Sequence, residues 1–288
     1  MTHQDNIIVS DMMNERVVIN FPPKKIISLV PSQSELLWDI GLQKELIGIT
    51  KFCIHPTAMF RNVQVVGGTK KLNINKIIAL QPDLIIGNKE ENSKEDITEL
   101  KEHFPVWISE IETLGDAFKM ILELGRITDR KEKAERIVSE IQEEKLSFSS
   151  KYNTGAPIRC AYFIWKEPYM SVGKNNFINT LLHTCGLINV FAEDYYSTDD
   201  FENKNLRYPQ INESQLKKAK PQLILLSSEP YPFREKHVRE IKSIYPDTVV
   251  KIVDGEFFSW YGSRLKKSFK YFYELLNDGE IRKLRDRF

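Results

Sequence analysis

Two short β-branched runs, residues 6–9 and 16–19, flank a polar turn and predict a hairpin. After Pro22 and Pro23 the apolar run 25–30 (KIISLV) predicts a strand ending at Pro31. Ser32, with Glu35 three positions on, predicts a capping box that opens a helix carrying Leu36, Leu37 and Ile40. The same strand, loop and helix order then recurs. A strand at 46–50 leads into the loop FCIHP, 52–56, and a short apolar run at 63–66 ends in Gly67 and Gly68, a turn pair. Residues 74–80 have helical spacing until Pro82 breaks it. The strand 84–86, the loop NKEEN (88–92), an amphipathic stretch at 97–102 and a strand at 106–108 close the first half.

From 113 to 127 Phe118, Ile121, Leu122 and Leu124 keep helical spacing, and Thr128 and Asp129 offer a fresh cap. Ala134, Ile137, Val138, Ile141 and Leu146 carry the next helix to about residue 150, a length of about 33 Å at the usual rise. The mixed charges around it read as a solvated face. Beyond a turn-rich hinge at 152–157 the alternation restarts, with strands at 158–164, 169–172, 223–226 and 249–253 and helices at 178–185, 214–219, 235–244 and 265–276. Strands and helices alternating at this rhythm imply parallel sheets covered on both faces. The expectation is therefore α/β: a lobe at 1–128, a linking helix at 129–152 and a second α/β lobe at 153–288.

Composition narrows the function classes. The 288 residues hold 41 Lys and Arg against 40 Asp and Glu, a net charge of +1, and no basic cluster offers a footprint for nucleic acid. No apolar stretch approaches the ~20 residues of a membrane span. The start, MTHQDNIIVSD, lacks the basic, apolar and cleavage regions of a signal peptide. As written this places the chain in the cytoplasm, and in the periplasm if a leader has been removed. Cys53, Cys160 and Cys185 are odd in number and show no metal-ligand spacing, so they read as small buried hydrophobes whose redox state the sequence leaves open.

In parallel α/β sheets ligands sit beyond the carboxyl ends of the strands. The loops there are rich in aromatics: FCIHP, NKEEN, IWKEPY (164–169), SEPYPF (228–233) and EFFSWYGSR (256–264). If the strand ends of both halves face one cleft, ligand contacts fall to Phe52, His55, Glu90, Glu91, Asn92, Trp165, Tyr169, Glu229, Tyr231, Phe258, Trp260, Tyr261 and Arg264, with Phe233 beside them. Trp38 and Trp107 are expected in the core. There is no nucleophile elbow, phosphate loop or dinucleotide fingerprint, and no two of the five His are spaced to hold a metal, so neither catalytic nor metal residues are assigned.

The segments KIISLVPSQSELLWDIG, INKIIALQPDLIIGNKEEN, IWKEPYMSVG, FINTLLHTCGLINVF and YPQINESQLKKAKPQLILLSSEPYPF together resemble the solute-binding proteins of iron-siderophore and vitamin B12 ABC transporters, the helical-backbone metal receptors. The resemblance implies the class III periplasmic-binding-protein fold, a metal chelate clasped between two lobes, little hinge motion, no required cofactor, no catalysis and a monomer. It also implies docking on an ABC permease through a surface Glu on each lobe. The matching positions hold Asn75 and Ser214, with Lys76 and Glu213 adjacent, so a permease partner is expected to be weakened. Tryptophans that flank a corrin ring in the vitamin B12 type are matched by Thr69 and Tyr208. Loop acids (Glu90, Glu91, Glu229, Glu256) balance loop bases (Lys89, Lys166, Arg234, Arg264), which suits a nearly neutral cobalamin or related corrinoid. A ferric siderophore or haem remains an alternative, as does a leaderless cytosolic metabolite sensor or enzyme.

Overall fold

Ile26 and Ile27 are fully buried on a strand of three residues, and their neighbours on both sides are equally apolar. The computed structural model describes residues 5–152, 156–192 and 207–286. β1 (Asp5–Ser10) and β2 (Arg16–Phe21) make the expected antiparallel hairpin. They are followed by β3 (Ile26–Ser28), β4 (Leu46–Ile49), β5 (Gln64–Val65), β6 (Gly67–Gly68), β7 (Lys71–Leu72), β8 (Leu84–Asn88) and β9 (Val106–Ser109). The sheet runs β5-β4-β3-β8-β9 with every neighbour parallel. β8 and β9 are buried throughout, as strands covered on both faces must be. Gly67 and Gly68, expected to be only a turn, pair antiparallel with Lys71–Leu72.

The helices between these strands are α1 (Pro31–Asp39), α2 (Thr57–Asn62), α3 (Ile74–Leu80), α4 (Lys94–Lys101) and α5 (Leu114–Ile127). α5 opens with a capping box of Thr113 and Asp116. The box expected of Ser32 and Glu35 is not made: Val30 is the cap, Pro31 presets the backbone of the first turn, and Glu35 is drawn away to Arg264. Asp129 does not cap the next helix either. It takes a left-handed φ of 58° while the Thr128 hydroxyl bonds back to Leu124 O, so α6 begins two residues late, as Lys131–Lys151.

The chain divides into two compact units. The first is Met1–Glu143 with Trp260–Lys266, and the second is Glu144–Ser259 with Lys267–Phe288. α6 thus passes from one unit into the other, and seven residues expected in the second lobe belong to the first. The second unit holds β10 (Ile158–Trp165), β11 (Met170–Ser171), β12 (Leu187–Asn189), β13 (Leu223–Ser227) and β14 (Val249–Val253). β13 and β14 follow β10 in parallel on one side, while β11, antiparallel, and β12, parallel, share the other. Its helices are α7 (Phe177–Thr184), α8 (Glu213–Ala219), α9 (Glu235–Ile244), α10 (Glu256–Ser259), α11 (Leu265–Leu276) and α12 (Gly279–Arg285).

Each unit has its own core. Ile27, Leu29, Val66, Ile77, Ile85 and Leu100 gather in the first, and Phe163, Phe191, Ile224, Leu226, Phe233 and Ile241 in the second. All three cysteines are buried free thiols. Among the described residues no helix is long and apolar enough to cross a membrane.

Candidate functional site

In the first unit the loop after β4 exposes apolar side chains that the same chain buries elsewhere. Phe52 is 49% exposed under the Lys51 ammonium, 5.0 Å from its ring centroid, and Ile54 is 47% exposed. Beneath them Cys53 is fully buried, its Sγ 3.2 Å from the hydroxyls of Thr50 and of Ser34 on α1, so the loop is tied to that helix, and burial pushes its thiol up. His55 meets the edge of Trp260, with ring centroids 5.7 Å apart.

Trp260 opens the segment that returns to this unit, and three contacts seat that segment. Arg264 Nε and Nη2 donate to Glu35 Oε2 and Oε1, both at 2.9 Å, and its guanidinium lies 4.5 Å over the Trp260 ring. Tyr261 Oη donates to Glu91 Oε1, and Ser263 Oγ donates to Asp39. Gly262 is required between them, because a Cβ there would fall 2.5 Å from Ser32 O. Burial raises the Glu35 carboxyl above its ordinary range, although Arg264 opposes that shift.

The NKEEN loop is held by its own asparagines. Asn88 Oδ1 accepts from the backbone N–H of Glu90 and Glu91, and its Nδ2 donates to Ser109. Asn92 is buried, donating to Leu29 O and Thr69 O and accepting from Asn88 N at 2.8 Å. The amide of Asn92, expected on a ligand, is thus committed to loop shape.

In the second unit Trp165 closes β10 and is 40% exposed, with Tyr231 edge-on at 5.6 Å. Tyr231 packs on Phe233 at 4.8 Å and Tyr169 stacks on the same ring at 6.5 Å. Behind them His237 is buried. Its Nδ1 accepts from Arg234 N at 2.9 Å, which leaves the proton on Nε2, facing Tyr231 Oη at 3.5 Å. Burial lowers its pKa, with help from Lys166 and Lys236. Lys166 Nζ donates to Glu240 Oε1 at 2.8 Å, and the Tyr169 hydroxyl approaches the same oxygen at 3.4 Å. Glu229 Oε1 accepts from Ser259 Oγ at 2.8 Å. His237 and Glu240 were not expected here; only their spacing from Arg234 and the lysine in IWKEPY could have hinted at them.

The structure therefore sorts the expected ligand residues into two groups. Phe52, His55, Glu90, Glu91, Trp260, Tyr261 and Arg264 belong to the first unit, and Trp165, Tyr169, Glu229 and Tyr231 to the second. Phe258 departs from expectation: it is fully buried against Tyr162 and Phe272 and is a core residue. Trp107 is buried as expected, whereas Trp38 is only half-buried. Asn75 is exposed in the first turn of α3, and Glu213 and Ser214 are exposed in the first turn of α8. Among the described residues no group of three or more His, Cys, Asp or Glu is placed to hold a metal ion.

Comparison with known proteins adds four findings. The sequence profile of the family described as "Periplasmic binding protein" matches residues 26–243. The Vitamin B12-binding protein of Vibrio parahaemolyticus is 28% identical over 209 residues, 72% of each chain. Among solved structures, the periplasmic vitamin B12-binding protein of Vibrio cholerae superposes with a TM-score of 0.73 at 20% identity, covering 93% of this chain and 99% of that one. A periplasmic heme-binding protein from Pseudomonas aeruginosa gives 0.73 at 16% identity, over 89% and 94%.

Proposed function

The chain belongs to the periplasmic binding protein family, and from that premise we propose that it binds a metal chelate for ABC-type uptake, a corrinoid of the cobalamin type in particular. The observation that carries the ligand class is the pairing of three of the four loop bases with internal carboxylates. Arg264 is neutralised by Glu35, Lys166 by Glu240 and Lys89 by Glu110. The Glu91 and Glu229 carboxylates accept from Tyr261 and Ser259. The same loops carry partly exposed aromatic side chains, Phe52 in one unit and Trp165 in the other. A bulky, amide-rimmed and nearly neutral chelate gains from such faces by stacking and from hydroxyl and amide partners by hydrogen bonding. A siderophore or haem carries carboxylate or other anionic groups, and these would have to displace an internal partner from each of those cations. The vitamin B12-binding relatives point the same way. Binding needs no chemistry from the protein, and the chelate arrives as cargo, so no resident cofactor is required.

Calorimetric and visible-absorbance titrations with cyanocobalamin, haemin and a ferric siderophore test the reading. Saturable binding of cyanocobalamin, tighter than that of either anionic chelate, is expected. Tighter binding of haemin or the siderophore overturns it.

A further inference from the structure

Glu35 and Arg264 are 229 positions apart, and their side chains are 12% and 10% exposed. The pair is bidentate, so the guanidinium edge made by Nε and Nη2, which could grip a ligand carboxylate, faces a carboxylate of the protein instead. The same guanidinium covers Trp260, and Trp260 in turn meets His55, so Arg264 stands directly behind the ring contacts of the loop after β4. Asp39 lies one turn further along α1, is exposed and takes the Ser263 hydroxyl, and a charge so solvated offsets Arg264 only weakly. The burial of Glu35 is the more informative because helix α1 gains nothing from it as a cap.

Resting on the reading above, we propose that Glu35 is a specificity residue that masks Arg264, keeping the site open to a neutral chelate and closed to an anionic one. With Glu35 present, an incoming propionate or carboxylate must compete with a preformed, partly desolvated carboxylate at a fixed bidentate geometry. Without that charge, Arg264 loses its bidentate carboxylate partner, and the positive potential beside Trp260 rises in favour of an anionic ring system. Arg264 is the residue unmasked, and Glu35 acts through it.

The test compares haemin and cyanocobalamin on the wild-type chain, on Glu35→Gln and on Glu35→Gln/Arg264→Gln. Glu35→Gln keeps the shape and an acceptor for the guanidinium while removing the charge, and it should raise the ratio of haemin to cyanocobalamin affinity by about tenfold at low salt, with the gain shrinking as salt is added. The double variant should return the ratio to that of the wild type. Should Glu35→Gln fail to fold, Glu35→Gln/Arg264→Lys keeps the unmasked charge on a flexible stem that can reach solvent, and it must show the same gain. An unchanged ratio in a folded Glu35→Gln protein, or a gain that survives loss of Arg264, overturns the proposal. Failure of the wild-type chain to bind cyanocobalamin overturns the corrinoid reading instead, and the two failures are thereby told apart.

Discussion

Tyr261 and Glu91 lie 170 positions apart in the chain, yet the phenol donates to the carboxylate at 2.8 Å. Tyr261 is buried, and desolvation together with the Glu91 charge holds its phenol well above the ordinary range, so the proton stays on the oxygen that donates. Replacing Tyr261 by Phe removes the donor and leaves the carboxylate short of a partner. Urea denaturation of Tyr261→Phe should show a loss of about 1–3 kcal/mol, the usual penalty for an abandoned hydrogen-bond partner. Stability equal to that of the wild type would mean that water replaces the phenol without cost.

The two tryptophans of the candidate site should behave differently. Trp165 is 40% exposed and its loss removes little packing, so Trp165→Ala should weaken corrinoid binding by about 1–3 kcal/mol while leaving the melting temperature close to that of the wild type. Trp260 is 6% exposed between Arg264 and His55, so Trp260→Ala should lower stability as well, by about 3 kcal/mol. Calorimetric titration and thermal melts on both variants separate the effects. Full corrinoid affinity in Trp165→Ala would remove that residue from the binding surface.

Acid should destabilise the second unit through His237. Its folded pKa is depressed, by burial first and then by Lys166 and Lys236, with Glu240 opposing them. An unfolded His takes up a proton below about pH 6.5, whereas the folded one resists until lower pH. Its neutral form therefore contributes full stability above the unfolded pKa, and the contribution declines as pH falls below it. His237→Gln keeps a side-chain acceptor for Arg234 N–H but does not titrate. Its melting temperature should fall less between pH 8 and pH 5 than that of the wild type, and parallel curves would exclude His237 as the source.

Permease coupling is open to a gain-of-function test. Asn75 and Ser214 are exposed on first turns, where an introduced carboxylate would face solvent and also suit the helix dipole. Asn75→Glu with Ser214→Glu should strengthen binding to a permease of the vitamin B12 type, more at low salt than at high. Tight docking of the unmodified chain, or no response to the paired substitution, would assign that role to Glu213 or another surface group.

The alternation of apolar runs and helical spacing made the α/β character of both units legible, because fully buried strands such as β8 and periodic helices such as α5 announce themselves locally. What was not legible depended on distant partners. Ser32 and Glu35 have the spacing of a capping box, but the helix starts one residue earlier, at Pro31, and Glu35 pairs instead with Arg264, far along the chain. Phe258 and Trp260 sit two positions apart in one aromatic stretch, yet one enters the core against Tyr162 and the other packs in the first unit. Asn92 matched a ligand donor by type, and its commitment to Leu29 O and Thr69 O is visible only after folding.

The return of Trp260–Lys266 to the first unit also sets an order of events during synthesis. A chain emerging from its amino end exposes residues 1–143 early, but at that stage Glu35 has no guanidinium and Glu91 no phenol. Residue 266 of 288 must leave the ribosome before the first unit holds all its pieces. The amino-terminal half therefore waits on the carboxyl-terminal one, against the usual habit of domains maturing in the order they are made, and a fragment ending within α6 would lack both the segment that covers α1 and the guanidinium that pairs with Glu35.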